Sequence, residues 1–204
     1  MSHSKVPSLD CTRCTHRDCY TARKDCAGLK EEAVELLRRP ENEPWMKAAA
    51  SIEATGYRSW TRLEEIIRLI EAMKLERIGV AFCIGLSDEA ERFVTVLRTT
   101  GVKVTAVCCK VCGVSKDELG VTRLHKERPF EASCNPVAQA LVLNENDTEL
   151  NFTLGLCLGH DILFNKLSKA PISAFIVKDR VLAHNPVAAL YSSYHRPSSG
   201  GDSI

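Results

Sequence analysis

The sequence predicts an α/β fold: a three-layer, mostly parallel sheet of four to five strands with helices on both faces, plus a cysteine-rich metal-binding loop and helical segment at the N-terminus. Three observations lead to this prediction. From about residue 76 onward, short apolar runs alternate with helical patterns, which is typical of strands joined by crossover helices. Residues 28–75 have helical periodicity alone. Residues 1–27 are polar and hold four of the ten cysteines.

These changes of pattern divide the chain into four segments. They are a cysteine-rich metal-binding segment (1–27), a helical segment that packs on the core (28–75), an α/β domain (76–196) and a disordered tail (197–204). The first segment is too polar to bury a core of its own, so a bound metal is expected to order it.

The helical segment is predicted from its caps and its breakers. One helix is expected over 29–37 and a second over 44–55, where a proline begins it and Gly56 follows it. Thr61 and Glu64 have the spacing of a capping box, and apolar residues follow them at helical spacing.

The α/β domain is predicted from apolar runs and helix-start signals. Strands are expected over 77–83, 102–108, 150–157 and 171–177, with a short fifth one over 181–183. Helices are expected over 87–97, 135–143, 161–167 and 186–194. Asn135 followed by Pro136 is a typical helix start, with the asparagine as cap and the proline at the first helical position.

The composition argues against several classes of function. A net charge of +1 gives no electrostatic case for nucleic acid or an anionic membrane as partner. No stretch approaches the roughly 20 apolar residues needed to span a bilayer. The first residues lack the apolar run of a secretory signal, which predicts a cytoplasmic location where thiols stay reduced. Close cysteines there indicate metal binding or catalysis rather than disulfides.

The N-terminal cysteines form one compact group. Cys11, Cys14, Cys19 and Cys26 follow the spacing C-x2-C-x4-C-x6-C. Four soft ligands suit an iron–sulfur cluster, expected to be 4Fe–4S, or a tetrahedral zinc ion. A single run of four favours the cluster, because structural zinc more often uses two separated C-x2-C pairs. His16 is a candidate zinc ligand in place of one cysteine.

The other six cysteines are dispersed, yet they map to one edge of the predicted sheet. Functional groups in an open parallel sheet gather outside the carboxyl ends of the strands. Each of the six lies at the end of a predicted strand, in the loop that follows it or just before a helix. They are Cys83, Cys108, Cys109, Cys112, Cys134 and Cys157. A second cysteine-lined site is therefore predicted, with these metal ligands: Cys83, Cys109, Cys112, Cys134 and Cys157.

Neighbouring residues of a strand face opposite sides, so Cys108 and Cys109 are not both expected to serve this site. Cys109 is favoured because it forms a C-x2-C pair with Cys112, and Cys108 is expected to be packing. Cys134 precedes a helix start, where backbone amides stabilise a thiolate. Four thiols saturate a cluster, so a spare thiol is available as a nucleophile or sulfur acceptor, and Cys83 is a candidate.

Histidines add candidates to the second site. His160 lies three residues after Cys157 and is a candidate ligand, proton donor or cluster hydrogen-bond partner. With Cys83 it is also a candidate catalytic residue. His184 is a further candidate for the same crevice, whereas His125 lies in a charged loop. A single glycine follows the first strand where a dinucleotide site has three, which argues against a nucleotide cofactor.

Four motifs of the chain occur together with the N-terminal cysteines. They are VCCKVCG (107–113), SCNP (133–136), GLCLGHD (155–161) and KDRVLAHNP (178–186). In this combination the chain resembles an uncharacterised prokaryotic family of cysteine-rich, predicted metal-binding proteins, found mostly in anaerobes. The resemblance covers nearly the whole chain, and it implies metal binding but no particular reaction.

Three functions stay open at this stage. The first is a cytoplasmic iron–sulfur protein with one or two clusters and redox or sulfur chemistry at the sheet edge, served by a redox partner protein or a small-molecule substrate. The second is a zinc protein with a structural N-terminal ion and a hydrolytic site that uses His160. The third is a non-enzymatic metal carrier or sensor.

Overall fold

The chain divides into two units, one ending at Trp60 and the other beginning at Thr61. The computed structural model describes residues 6–195. The predicted disordered tail, 197–204, lies outside the described residues. No helix in the described part is long and apolar enough to cross a membrane.

The first unit is helical after a short 3-10 turn at Cys11–Arg13. Its helices are α1 (Asp18–Thr21), α2 (Lys30–Leu37) and α3 (Glu43–Gly56). A proline in the first two positions of α3 lacks an amide where the helix does not need one. The predicted helices over 29–37 and 44–55 are both present, within a residue at each end.

The second unit is an α/β domain. Its helices are α4 (Arg62–Met73), α5 (Ser87–Arg98), α6 (Pro136–Glu145), α7 (His160–Leu167) and α8 (Ala188–Tyr191). Its strands are β1 (Arg77–Phe82), β2 (Lys103–Cys108), β3 (Leu150–Leu154) and β4 (Ile172–Ile176). They form one four-stranded sheet in the order β2-β1-β3-β4, and each neighbouring pair is parallel. The predicted α/β fold is confirmed.

The segment 181–183, predicted as a short fifth strand, is a turn in the structure. The Asp179 carboxylate accepts hydrogen bonds from the Val181 and Leu182 amides, both at 2.9 Å. Ala183 and His184 then adopt φ angles of 48° and 63°, which no extended strand allows. The side chain of Asp179 therefore competes with strand formation at this point, and the last helix is also shorter than predicted.

Apolar side chains cover both faces of the sheet. Paired residues of neighbouring strands point to the same side, so Val80 and Phe152 share one face and Ala81 lies on the other. On the first face, the Phe93 ring of α5 lies edge-on to Phe152, with ring centres 5.4 Å apart. On the second face, Ala81 and Phe164 of α7 belong to one buried cluster. The other members of that cluster are Val107, Ala140, Leu143 and Leu156.

Local capping signals explain where two helices begin. Thr61 and Glu64 form the predicted capping box of α4, in which each side chain accepts a hydrogen bond from the other residue's amide. The Asn135 side chain accepts a hydrogen bond of 2.9 Å from an amide in the first turn of α6. Ser87 is the first residue of α5 and not its cap, because the 3-10 turn Ile84–Leu86 leads directly into the helix.

The strand order creates a crevice at the carboxyl edge of the sheet. From β1 the chain passes to β2 on one side, whereas from β3 it passes to β4 on the other side. The helix after β1 packs on the Phe152 face and the helix after β3 on the Ala81 face. The loops after β1 and β3 therefore turn away from each other, and such a reversal is where open α/β sheets bind ligands.

Candidate functional site

The four N-terminal cysteines surround one cavity of the first unit. Cys11, Cys14, Cys19 and Cys26 are exposed, and all of them line a cavity of about 590 Å³. The structure thus brings together the four residues that the sequence predicts as one ligand set. Their roles as metal ligands stay a prediction.

Two aspartates shape the backbone around this cavity. The Asp10 carboxylate accepts a hydrogen bond of 3.1 Å from the Thr12 amide and so begins the turn that holds Cys11. The Asp25 carboxylate accepts hydrogen bonds from three amides that follow Cys26, at 2.8 to 3.0 Å. These bonds, above all the one from the Lys30 amide, lower the pKa of Asp25. The first and last cysteines of the set are therefore each preceded by an aspartate that fixes the local chain.

Charges of both signs line the N-terminal cavity. Arg17 and Lys24 lie on its wall together with Asp10 and Asp25, and Lys24 also pairs with Asp18 at 3.6 Å. The Arg17 amide donates a hydrogen bond of 3.4 Å to the Cys14 sulfur, as amides do to cluster-bound thiolates.

The N-terminal cysteines share a cavity, but their thiols are not gathered around one point. Among residues 6–195, no set of three or more His, Cys, Asp or Glu side chains is arranged to hold one metal ion.

The second cysteine group is assembled by backbone hydrogen bonds at the carboxyl edge of the sheet. The Cys83 amide donates to the Leu154 carbonyl at 3.1 Å, and the Cys109 amide donates to the Phe82 carbonyl at 2.8 Å. The Asn135 amide in turn donates to the Cys109 carbonyl at 2.8 Å. These bonds connect the ends of β1, β2 and β3 to the start of α6 and bring three sulfur atoms together.

These three thiols form a row with Cys109 in the middle, between Cys83 on one side and Cys134 on the other. The neighbouring Cys109 thiol lowers the pKa values of Cys83 and Cys134, and these two neighbours together raise the pKa of Cys109. The Cys109 sulfur also accepts a hydrogen bond of 3.3 Å from the Ile84 amide. The arrangement favours two outer thiolates around one protonated thiol. We call Cys83, Cys109 and Cys134 the thiol row.

Basic side chains contact both ends of the thiol row. Lys178 Nζ lies 3.1 Å from the Cys83 sulfur, and Lys110 Nζ lies 3.5 Å from the Cys134 sulfur. Both ammonium groups lower the pKa of the thiol that they contact. Each outer thiolate therefore has a positive partner, which offsets the cost of holding a charge in a half-buried place.

Cys157 has a cation of its own. An Arg180 guanidinium nitrogen lies 2.9 Å from its sulfur, and this contact raises the pKa of Arg180. Arg180 is exposed, and its charge stands at the same edge of the sheet as the thiol row.

Three basic residues of this site are not among the candidates that the sequence predicts. They are Lys110, Lys178 and Arg180. A usable signal exists, because Lys110 follows Cys109 directly and the other two follow β4, at the edge where the cysteines gather.

The remaining candidates of the second site are two cysteines and a histidine. Cys112 is exposed, with a φ of 69° inside a short 3-10 turn, whereas its predicted partner Cys109 is buried in the thiol row. Cys108 is half-buried on the edge strand β2. His160 begins α7 and acts electrostatically on Cys134. The metal-ligand and catalytic roles of these residues stay predictions.

Two other histidines have local partners. The His184 ring nitrogen Nδ1 accepts a hydrogen bond of 3.1 Å from the Asp179 amide and helps to close the turn that carries Arg180. His125 Nδ1 lies 3.3 Å from a Glu127 carboxylate oxygen in the charged loop. His16 is exposed in the first unit.

A charged loop holds Cys134 in place. Between Cys112 and Cys134, the Glu131 carboxylate contacts Lys116 at 2.7 Å and accepts hydrogen bonds of 2.9 Å from two amides, including that of His125. These contacts, led by the His125 amide, lower the pKa of Glu131 to about 2. The loop thereby returns to the sheet edge with a fixed conformation.

Comparisons with known proteins identify relatives but no activity. Residues 19–175 match the model of a family described as a protein of unknown function, DUF1847. The uncharacterized protein MJ0455 of Methanocaldococcus jannaschii is 46% identical over 188 residues, which are 92% of this chain and 96% of that protein. No solved structure matches the chain. The predicted membership of an uncharacterised family is confirmed.

Proposed function

This chain belongs to the DUF1847 family of proteins of unknown function, and we propose that it is a cytoplasmic iron–sulfur protein with a second, cysteine-lined reactive site. One observation carries the first part of the proposal. The four cysteines of the sequence motif line a single cavity of about 590 Å³.

The N-terminal residues favour a cluster over zinc for two reasons. The four cysteines form a single compact run, whereas structural zinc more often uses two separated C-x2-C pairs. The amide of Arg17 donates to the Cys14 sulfur, and such bonds are among the features that set cluster potentials. When bound, a cluster of this kind supplies one-electron transfer, for which a redox partner protein is the expected counterpart.

The chain's own residues prepare the site in two ways. Asp10 and Asp25 fix the backbone on either side of the motif through hydrogen bonds to following amides. Arg17 and Lys24 bring positive charge to a cavity wall that Asp10 and Asp25 also line. Loss of these groups is expected to weaken the retention of an anionic cluster without removing a ligand.

The test is anaerobic purification followed by analysis of iron, acid-labile sulfide and zinc. The expected result is iron and sulfide in equal amounts, with both lost in Cys14→Ser. Cys108→Ser is the matched control, because it removes one thiol outside the four-cysteine set and should leave the metal content unchanged. A colourless protein without iron or sulfide would contradict the proposal.

The same measurement separates the other functions that the sequence left open. One equivalent of zinc in place of iron and sulfide would indicate a structural zinc site. Metal that exchanges freely with a chelator, again without sulfide, would indicate a carrier or sensor. Both outcomes count against an iron–sulfur protein.

A further inference from the structure

The thiol row of the second unit offers a reaction that needs no metal. Cys109 and Cys134 are neighbours in the row. Lys110, the residue after Cys109, donates to the Cys134 sulfur at 3.5 Å and to the Ala132 carbonyl at 2.7 Å. The backbones of their two segments are also hydrogen-bonded to each other, since the Asn135 amide donates to the Cys109 carbonyl at 2.8 Å. A disulfide, with its S–S bond of about 2.05 Å, would therefore join two segments that the fold already holds side by side.

Exposure distinguishes the members of the row. Cys109 is 2% exposed and Cys83 is 7% exposed, whereas Cys134 is half-buried and open to a reactant. Cys134 also has Lys110 at 3.5 Å and comes directly before the N-terminal cap of a ten-residue helix. Reactive cysteines are characteristically half-exposed in such positive surroundings.

We propose that Cys134 and Cys109 form a reactive dithiol that reduces the S–S bond of a small disulfide carrying carboxylates, with Cys134 as the attacking thiol and Cys109 as the resolving thiol. This inference specifies the second site of the proposed function and does not depend on which metal the N-terminal cysteines bind.

The reaction balances with the groups in the row. The Cys134 thiolate attacks one sulfur of the disulfide, forms a mixed disulfide and releases the other half as a thiolate. Cys109 then attacks the Cys134 sulfur, its proton passes to the adjacent Cys83 thiolate, and the second half leaves as a thiolate. The Cys109–Cys134 disulfide forms, and its two electrons reduce the substrate to two thiolates.

The charges around the row indicate what kind of disulfide fits. Lys110 and Lys178 contact the outer thiols, and the exposed guanidinium of Arg180 lies at the rim beside Cys157. Because these groups are cationic, an anionic disulfide is expected to react faster than a cationic one of similar size.

The test uses the full-length protein, purified without oxygen, reduced and then exposed to oxidised glutathione. Peptide mapping by mass spectrometry reads each cysteine separately, so reactions of the exposed N-terminal thiols do not interfere. The expected product is a Cys109–Cys134 disulfide, formed with Cys134 reacting at least about tenfold faster than the equally half-buried Cys108. Cystamine, a cationic disulfide, should react several-fold more slowly than oxidised glutathione. An equal rate would contradict the proposed preference for a disulfide that carries carboxylates.

Variants separate the two roles. Cys109→Ser should trap glutathione on Cys134 as a stable mixed disulfide, whereas Cys134→Ser should abolish the fast reaction. Because Cys109 is buried, circular dichroism must show that its variant folds. The half-buried position of Cys134 makes that variant informative by itself. Cys108→Ser should behave as the unmodified protein.

Two results would overturn the proposal. One is the absence of a Cys109–Cys134 disulfide in the folded protein. The other is a second metal equivalent that persists in Cys14→Ser and is lost in Cys134→Ser, since that would make the row a metal site. Failure of the iron–sulfur proposal has a different signature, which is missing iron and sulfide with the disulfide still formed.

Discussion

Gly155 offers a sharp test of how the crevice is built. It follows β3 directly with a φ of 59°, and a Cβ atom there would overlap the side chain of Leu86. Leu86 is 2% exposed and ends the turn whose first amide donates to Cys109, so it has little room to move. For Gly155→Ala, left-handed strain of about 1–2 kcal/mol and overpacking of about 1–3 kcal/mol give an expected loss of about 2–5 kcal/mol in the free energy of unfolding.

Gly120→Ala is the matched control. Gly120 has a φ of 61° and nothing within 4 Å of the added methyl, so the strain of about 1–2 kcal/mol should appear alone. Both tryptophans, Trp45 and Trp60, lie in the first unit. Tryptophan fluorescence would therefore report the unfolding of the first unit, whereas both glycines lie in the second. Native-state hydrogen exchange at β1 and β3 amides reports the second unit. Equal losses in the two variants, within about 0.5 kcal/mol, would refute the close contact with Leu86.

Three further predictions concern the fold around the site. Phe164→Ala should lower the free energy of unfolding, measured by urea titration, by about 3–5 kcal/mol, because Phe164 is fully buried. Leu163→Ala is the control: this residue is 43% exposed, and its loss should lower the free energy of unfolding by less than about 1 kcal/mol. Asn135→Ala should cost about 1 kcal/mol through loss of the α6 cap, whereas Asn135→Asp should retain most of it. Folding lowers the pKa of Glu131 from 4.5 to about 2. The ionised carboxylate therefore stabilises the folded state fully above pH 4.5, and this stabilisation is lost as the pH falls towards 2. Glu131→Gln should therefore flatten the acid limb of a stability–pH profile, and an unchanged slope would contradict the assignment.

The architecture could be predicted because it depends on local signals. Alternation of short apolar runs with helical patterns gave the parallel sheet, and the capping box at Thr61 and the cap at Asn135 fixed two helix starts. The prediction was wrong at 181–183, where an apolar run suggested a strand. There the Asp179 carboxylate binds two amides of the segment, and side-chain hydrogen bonds of this kind compete with strand pairing.

The composition of the second site was only partly accessible from the sequence. Strand ends located the edge where the cysteines gather, but not which thiols touch. The C-x2-C spacing suggested Cys109 with Cys112, yet the turn between them leaves Cys112 exposed while β2 carries Cys109 into the sheet edge beside Cys83. The contact with Cys134 arises across a charged loop whose path depends on Glu131 and Lys116, a pair with no distinctive sequence spacing.

The contact between Lys178 and Cys83 shows why side-chain partners escape sequence patterns. Lys178 follows β4 and Cys83 follows β1, and these strands are not neighbours, because β3 lies between them. The lysine must therefore cross the end of β3 to bring Nζ within 3.1 Å of the sulfur. On its way the side chain passes Gly155 and Gly85 at ordinary contact distance: a Cβ at Gly155 would lie 3.6 Å from Lys178 Cδ, and one at Gly85 would lie 3.8 Å from Nζ. The positive charge at this end of the thiol row thus depends on the strand order, which the spacing between Cys83 and Lys178 in the sequence does not reveal.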